Sequence, residues 1–245
     1  MKQVSKSLAL LEYNVFNDEL SSIDYTQKQL ITTINQYSYC IAENDASFKK
    51  ALQQSDILLS DGVGIVIAAK VLKKQKIKKI AGADIHQYLL KRLNEDAGSC
   101  MYLGASDTTL VKIKERIAIE YPNIRVAMYS PPFKPEFSKE DTLEMIAAVN
   151  EVKPDVLFVG MTAPKQEKWG HANKKKLDAN TICAIGAVFD FYAGTVERPS
   201  QFWINLQLEW FIRLVKEPKR MWRRYLYYGP FFLYLLLKVM LKQKK

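Results

Sequence analysis

Short apolar runs that stop at a glycine or a polar residue, each followed by a helix-length segment, repeat along the first 200 residues. That alternation, the short punctuated turns, and the lack of any long linker, internal repeat or low-complexity tract predict an α/β fold. The expectation is a Rossmann-like, mostly parallel sheet with helices on both faces, formed by residues 1–200. Residues 201–245 form a C-terminal helical appendage of different character.

The elements follow in order. Residues 8–16 read as a first strand, and Lys28 to Ile34 is β-rich and ends at Asn35. Asp45 to Gln54 reads as a helix with Asn44 or Asp45 as N-cap. Asp56 to Ser60 is a buried strand that runs straight into Asp61-Gly62-Val63-Gly64, and a helix follows from Ile65 to Lys74. The five lysines between Lys73 and Lys79 read as a solvated helix end and loop. Ile80 to Asp84 leads into a helix through about Asn94. Met101 to Leu103 is a strand stopped by Gly104, and Ser106 or Asp107 caps a helix to about Glu120. Ile124 to Tyr129 is a strand, followed by a stiff proline-rich loop from Ser130 to Pro135 and a helix over 139–151. Asp155 to Val159 is a strand stopped by Gly160, and Pro164 suits the first turn of the next helix. Thr181 to Ile185 is the last clear strand and ends at Gly186.

The chain has 245 residues, 48% hydrophobic and 25% charged, which places it among globular proteins with ample core. Cys40, Cys100 and Cys183 lie in apolar runs without metal-ligand spacing, so buried thiols in a reducing compartment are expected. Met1 to Leu11 is too short and mixed for a signal peptide, and a cytoplasmic protein is expected. The net charge of +10 is uneven: from Arg213 onward there are ten Lys/Arg and one acid, against 26 and 25 before it. Nucleic-acid binding would have to rest on this tail alone, where basic residues alternate with a long apolar run, so no nucleic-acid partner is expected.

There is no Walker loop and no Gly-x-Gly-x-x-Gly after a strand, which disfavours an ATPase or a dinucleotide enzyme. No Gly-x-Ser-x-Gly nucleophile turn occurs, and no Asp-x-Asp pair offers the metal–nucleotide clamp of many sugar transferases. His86 and His171 read as surface or helix-face residues. What remains is a set of polar residues at strand ends: Thr33 and Asn35, Asp61, Gly104 to Asp107, Ser130, Thr162 and Gln166, and Asp190. In a parallel sheet those ends share one edge, where ligands bind.

Asp61 is the sharpest of them. It follows an apolar strand and precedes Gly62-x-Gly64, which lets a ligand approach closely. It reads equally as a general base or as the N-cap of the next helix. The stretch from Gly186 to Pro199 is dense in polar and aromatic residues, and its Arg198 can pair a phosphate bidentately. Lys165, Gln166 and Glu167 open a helix after a polar loop, an arrangement that an ordinary βα connection also shows.

Several motifs match a known family in order and spacing. Thr33-x-Asn35, Asp61-Gly62-x-Gly64, Gly82-x-Asp84, Ala163-Pro164-Lys165-Gln166-Glu167 and Gly186-Ala187-x-Phe189-Asp190 through Arg198-Pro199 resemble the WecG/TagA/CpsF glycosyltransferases. Glu209-Trp210 through Arg213-Leu214, Glu217-Pro218 and Arg220 extend the resemblance, which covers roughly residues 10–226. It implies an inverting, metal-independent transfer, with no cofactor, from a UDP-sugar donor to an undecaprenyl-diphosphate-linked sugar. The usual donor sugar is N-acetylmannosamine or its uronic acid, with glucose in some relatives. The product feeds teichoic acid, enterobacterial common antigen, capsule or exopolysaccharide, and some relatives self-associate.

By that resemblance Asp61 is the catalytic base, and Gln166 is the second catalytic candidate, lining the site. Thr33, Asn35, Gly62, Gly64, Lys79, Asp84, Gly104, Ser130, Thr162, Lys165, Asp190 and Arg198 are the substrate-binding candidates. Arg213, Arg220, Arg223 and Arg224 approach the membrane-held acceptor. Glu167 looks at first like a second catalytic acid and is assigned instead to ordering the helix and loop. Lys79 stands where the family often has arginine, which keeps the charge but loses the bidentate fork. A non-enzymatic membrane-surface adaptor on a nucleotide-binding α/β fold would keep the tail but has no use for Asp61 and Gln166.

In the tail, Trp203 to Val215 suggests an amphipathic helix broken by Pro218, after which basic and aromatic residues interleave. Tyr225 to Leu241 is 17 residues, about 25 Å as a helix at about 1.5 Å per residue. That is short for a bilayer core of about 30 Å, and Lys238 interrupts it. An interfacial or shallowly inserted anchor on the cytoplasmic face of the membrane is expected, rather than a full span or a core helix.

Overall fold

In a computed structural model, residues 6–197, 200, 202, 203, 206 and 208–243 are described, Arg220 and Gln243 in backbone only. The strands are β1 (Ser7–Leu10), β2 (Tyr13–Phe16), β3 (Gln29–Ile34), β4 (Ile57–Ser60), β5 (Ser99–Gly104), β6 (Arg125–Tyr129), β7 (Val156–Gly160) and β8 (Thr181–Ala184). They form one sheet in the order β1-β2-β4-β3-β8-β7-β5-β6. Every neighbouring pair is parallel except β1 with β2.

The segment expected as one strand over residues 8–16 is a hairpin. Leu11 and Glu12 both take positive φ, 51° and 68°, the geometry of a two-residue turn that matches the strand twist. Neither residue belongs to the Asn-Gly or Asp-Gly type that announces such a turn.

The helices are α1 (Gln36–Ala42), α2 (Ala46–Gln53), α3 (Val63–Lys73), α4 (Gly82–Glu95), α5 (Asp107–Glu120), α6 (Lys139–Val152), α7 (Lys165–Asn173) and α8 (Ala187–Tyr192). They cover both sheet faces because the central strands are apolar on both. On β7, Val156 and Phe158 face one layer with Ile85 and Leu89 of α4 and Ile113 of α5, while Leu157 and Val159 face the other with Met145 of α6 and Trp169 of α7. Burying a side chain such as Phe158 contributes about 2–3 kcal/mol.

The second face continues over β4 and β2, where α1, α2 and α3 pack through Cys40, Phe48, Leu52, Ile65 and Ala68. All three cysteines are buried free thiols. His86, expected on a helix surface, is buried on the inner face of α4. Its Nε2 lies 2.6 Å from the Tyr102 hydroxyl, and burial pushes its pKa down to about 3, so it is a neutral core residue.

Among the described residues, the C-terminal segment from Glu209 holds α9 (Glu209–Lys216), α10 (Pro218–Trp222) and α11 (Tyr228–Gln243). Of the amphipathic stretch expected from Trp203, residues Ile204, Asn205 and Gln207 lie outside the described residues, and regular helix runs from Glu209. A π turn over Arg223–Tyr227 joins α10 to α11. It lies just before Pro230, whose ring would clash with the carbonyl four residues back in an unbroken α-helix. α11 seats Phe232 and Leu236 in the α1–α3 core layer. The last helix therefore has an inner face in the domain and an outer face of exposed Leu233, Tyr234, Leu237 and Leu241. No helix among the described residues is long and apolar enough to cross a membrane.

Candidate active site

Parallel pairing brings the strand ends to one edge. Ile34 of β3 pairs with Ser60 of β4, so Asn35 and Asp61 leave the sheet side by side. Gly104 of β5 pairs with Gly160 of β7, and Val159 with Ala184 of β8. Gly104 has φ +125°, and a Cβ there would collide with the Gly160 carbonyl. Glycine is thus required where the two strand ends splay open.

A cavity of about 950 Å³ lies over this edge. From the sheet side Thr33, Asn35, Asp61, Gly104, Ser130, Thr162, Lys165, Gln166 and Asp190 line it. From the C-terminal segment Arg213, Arg223 and Arg224 close it. Gly62 and Lys79 line a smaller adjoining cavity that also touches Asp61. Two candidates face neither space. Gly64 sits against Gln36 and Phe232. Asp84 turns back onto its own helix start, where its carboxylate accepts from the Ala81 N–H at 2.8 Å. Arg198 lies outside the described residues, as does the side chain of Arg220.

Asp61 is half-buried and does not cap α3; the N-cap is Gly62, with no side-chain cap bond. Burial raises its carboxyl above the ordinary 3.8, an effect that Lys79, Arg224 and Arg213 oppose and Glu209 reinforces. Asn35 does cap: its Oδ1 accepts from the N–H groups of Tyr37 and Ser38, both at 3.0 Å, which fixes the start of α1 beside Asp61.

Gln166 braces two strand ends. Its Oε1 accepts from the Met161 N–H at 3.2 Å and the Gly186 N–H at 2.9 Å, and a Cβ on Gly186 would strike that oxygen. Its Nε2 donates to Glu167 Oε1 at 2.8 Å. Glu167 is 2% exposed, and burial pushes its carboxyl up to about 7, with Gln166 and Arg224 pulling it down. Lys165 donates to the Lys134 carbonyl at 2.6 Å and lies over the Phe137 ring. The Ser130 hydroxyl donates to the Ala105 carbonyl at 2.8 Å.

The C-terminal segment supplies the positive charge. The Arg213 guanidinium lies 5.3 Å from the Phe191 ring centroid, and its Nε and one Nη are buried with no hydrogen-bond partner among the described residues. Orphan charged donors are costly, and a bound anion would satisfy them. Arg224 lies over the Tyr37 ring, and Lys79 pairs with Glu209 at 3.1 Å, tying the α3–α4 loop to α9. Sequence reasoning missed Tyr37, Phe137 and Phe191 as supports. Their only signal was an aromatic residue within a few positions of a polar strand end.

A family model described as the glycosyl transferase WecG/TagA/CpsF family matches residues 5–245. Three similar proteins, from Bacillus subtilis (strain 168), Bacillus spizizenii (strain ATCC 23059 / NRRL B-14472 / W23) and Staphylococcus aureus (strain MW2), are each named N-acetylglucosaminyldiphosphoundecaprenol N-acetyl-beta-D-mannosaminyltransferase. The first is 30% identical over 86% of this chain and 83% of its own length, and the second 29% over 85% and 79%. The third is 26% identical over 90% of this chain and 84% of its own length. With nearly its whole length matched, the chain belongs to the WecG/TagA/CpsF family and is a glycosyltransferase.

Proposed function

We propose that this enzyme moves N-acetylmannosamine or a related hexose from a UDP-sugar to an undecaprenyl-diphosphate-linked sugar, with inversion, in cell-surface polysaccharide synthesis. The observation that carries the reading is Asp61 facing a cavity closed by Arg213, Arg223 and Arg224, with two guanidinium nitrogens of Arg213 unpartnered among the described residues. The relatives' names, with a diphosphoundecaprenol-linked N-acetylglucosamine acceptor, support it.

The chemistry is a single displacement. Asp61 takes the proton of the acceptor hydroxyl, whose oxygen attacks the anomeric carbon. The bond from that carbon to the diphosphate oxygen breaks, and the electron pair leaves with UDP from the opposite face. The guanidinium groups, with the N-terminal ends of α5 and α7, neutralise the leaving diphosphate in place of a metal. A base with a raised pKa takes the proton more effectively and must be ionised to act. Turnover therefore climbs with pH through a pKa above the ordinary 3.8. The outer face of α11 and the basic tail hold the enzyme peripherally at the cytoplasmic face of the membrane, where the lipid acceptor lies.

A screen of UDP-sugars against a lipid-diphosphate-linked N-acetylglucosamine acceptor, with EDTA present and UDP release as readout, tests this. Release with UDP-N-acetylmannosamine supports the reading. Release only on adding a divalent cation removes the metal-independent step, and no release with any donor removes the proposal.

A further inference from the structure

The lysines of the α3–α4 connection have no part in the chemistry above. From Gly62 to Ala83 the chain holds no acid and six lysines. Lys79 is taken by Glu209 and Lys78 by Glu19. Lys70, Lys73, Lys74 and Lys76 are exposed and have no salt bridge among the described residues. Lys70 and Lys73 are like charges one turn apart on α3, a repulsive arrangement, and Lys74 follows directly as its left-handed C-cap. The concentration is local: apart from these six lysines, the chain before Arg213 carries 20 basic residues against 25 acidic ones.

The same flank is apolar between its lysines. Ile67 and Val71, one turn apart on α3, are 44% and 42% exposed. α11 packs beside α3 in the same layer: Phe232 reaches Gly64, and Phe232 and Leu236 share a core cluster with Ile65 and Ala68. With those two residues turned inward, α11 presents exposed Leu233, Leu237 and Leu241 with exposed Lys238 and Lys242. Apolar residues rimmed by lysine on two adjacent helices are what an anionic lipid surface binds.

We propose that α3 and its lysine loop form, with the outer face of α11, one docking surface for an anionic bilayer. The domain then lies on its α3–α11 flank rather than hanging from the tail alone. This rests on the reading that the acceptor is held in a lipid surface. Both helices start beside the cavity, since α3 follows Asp61 and Tyr228 of α11 lines it, so the membrane plane meets the cavity mouth.

The test is co-sedimentation of the full chain with vesicles of phosphatidylglycerol and phosphatidylcholine, or phosphatidylcholine alone. The quadruple variant Lys70→Gln, Lys73→Gln, Lys74→Gln, Lys76→Gln is expected to bind the anionic vesicles at least about tenfold more weakly. Ile67→Ser with Val71→Ser is expected to weaken binding at high salt, where charge is screened. Turnover of both variants on a short-chain, water-soluble acceptor stays at the wild-type value. Undiminished vesicle affinity in the lysine variant overturns the inference, as does a changed oligomeric state with vesicle affinity intact. Loss of affinity in Lys238→Gln, Lys242→Gln alone leaves the tail as anchor and removes α3. Failure of the wild type to turn over the soluble acceptor strikes the proposed function instead.

Discussion

The two halves of the cavity are built in opposite ways. The sheet side is a floor of strand ends, where Asn35 caps α1 and Gln166 braces β7 against β8, with Asp61 placed by the β3–β4 register. The C-terminal side is a roof of short helices carrying arginines on aromatic rings, Arg213 over Phe191 and Arg224 over Tyr37. The floor supplies an acid and fixes it by backbone geometry. The roof supplies cations and fixes them by side-chain stacking, worth about 0.5–2 kcal/mol each. In the proposed reaction, proton transfer and charge neutralisation thus fall to different parts of the chain, and substitutions on each side are expected to fail differently.

The largest effect is expected on the floor. Asp61→Asn removes the proposed base but keeps size and hydrogen bonding, so turnover is expected to fall by about 10²–10⁴-fold with the melting temperature unchanged. Near-wild-type turnover would eliminate Asp61 as the base.

Glu167 tests how rigid the floor is. A buried acid raised from 4.5 to about 7 is favoured in its protonated form. The folded state is unpenalised below pH 4.5 and loses stability as pH rises through about 7. The full loss is about 3 kcal/mol. Glu167→Gln mimics the protonated acid and can still accept from Gln166, so it should melt at a higher temperature than the wild type at pH 8 and at nearly the same one at pH 5. Parallel melting curves across that range would show that Glu167 is not held in a dry site.

On the roof, Arg213→Ala is expected to cost about 2 kcal/mol of transition-state binding, tens-fold in kcat/KM, with little change in melting temperature. Arg213→Lys should recover little, because lysine lacks the fork. A variant that melts early but keeps its kinetics would make Arg213 a structural residue and erase the division between floor and roof.

The floor was largely legible in the sequence, because an apolar strand stopped by glycine or aspartate announces both its element and its end. Asp61, Gly104 and Gly160 carry that signal. The hairpin at Leu11 and Glu12 does not, since its backbone angles are imposed by the strands it joins. Helix α1 was missed because it starts directly at Asn35 and runs only seven residues. His86 has the same helical spacing as a surface residue, and only the placement of Tyr102 on a strand 16 residues later makes it a core group. The roof was legible as composition, basic and aromatic, but not as contacts. Nothing local says that Arg213 stacks on Phe191 or that Glu209 reaches Lys79 across 130 residues.

That last contact joins floor to roof, and its effect is the smallest. Lys79 and Glu209 are partly exposed, 28% and 16% at the side chain, so their coupling should be about 1 kcal/mol or less. A double-mutant cycle with Lys79→Met and Glu209→Gln, read as melting temperature and kcat/KM, measures it. The pH profile separates a tether from an electrostatic role. Lys79 lowers the Asp61 pKa and Glu209 raises it. Lys79→Met should therefore move the acidic limb of the profile up, and Glu209→Gln should move it down. A pair that only tethers the roof would change both variants' kcat/KM in the same direction and leave the limb in place. Opposite shifts would mean that the roof also sets the strength of the base in the floor.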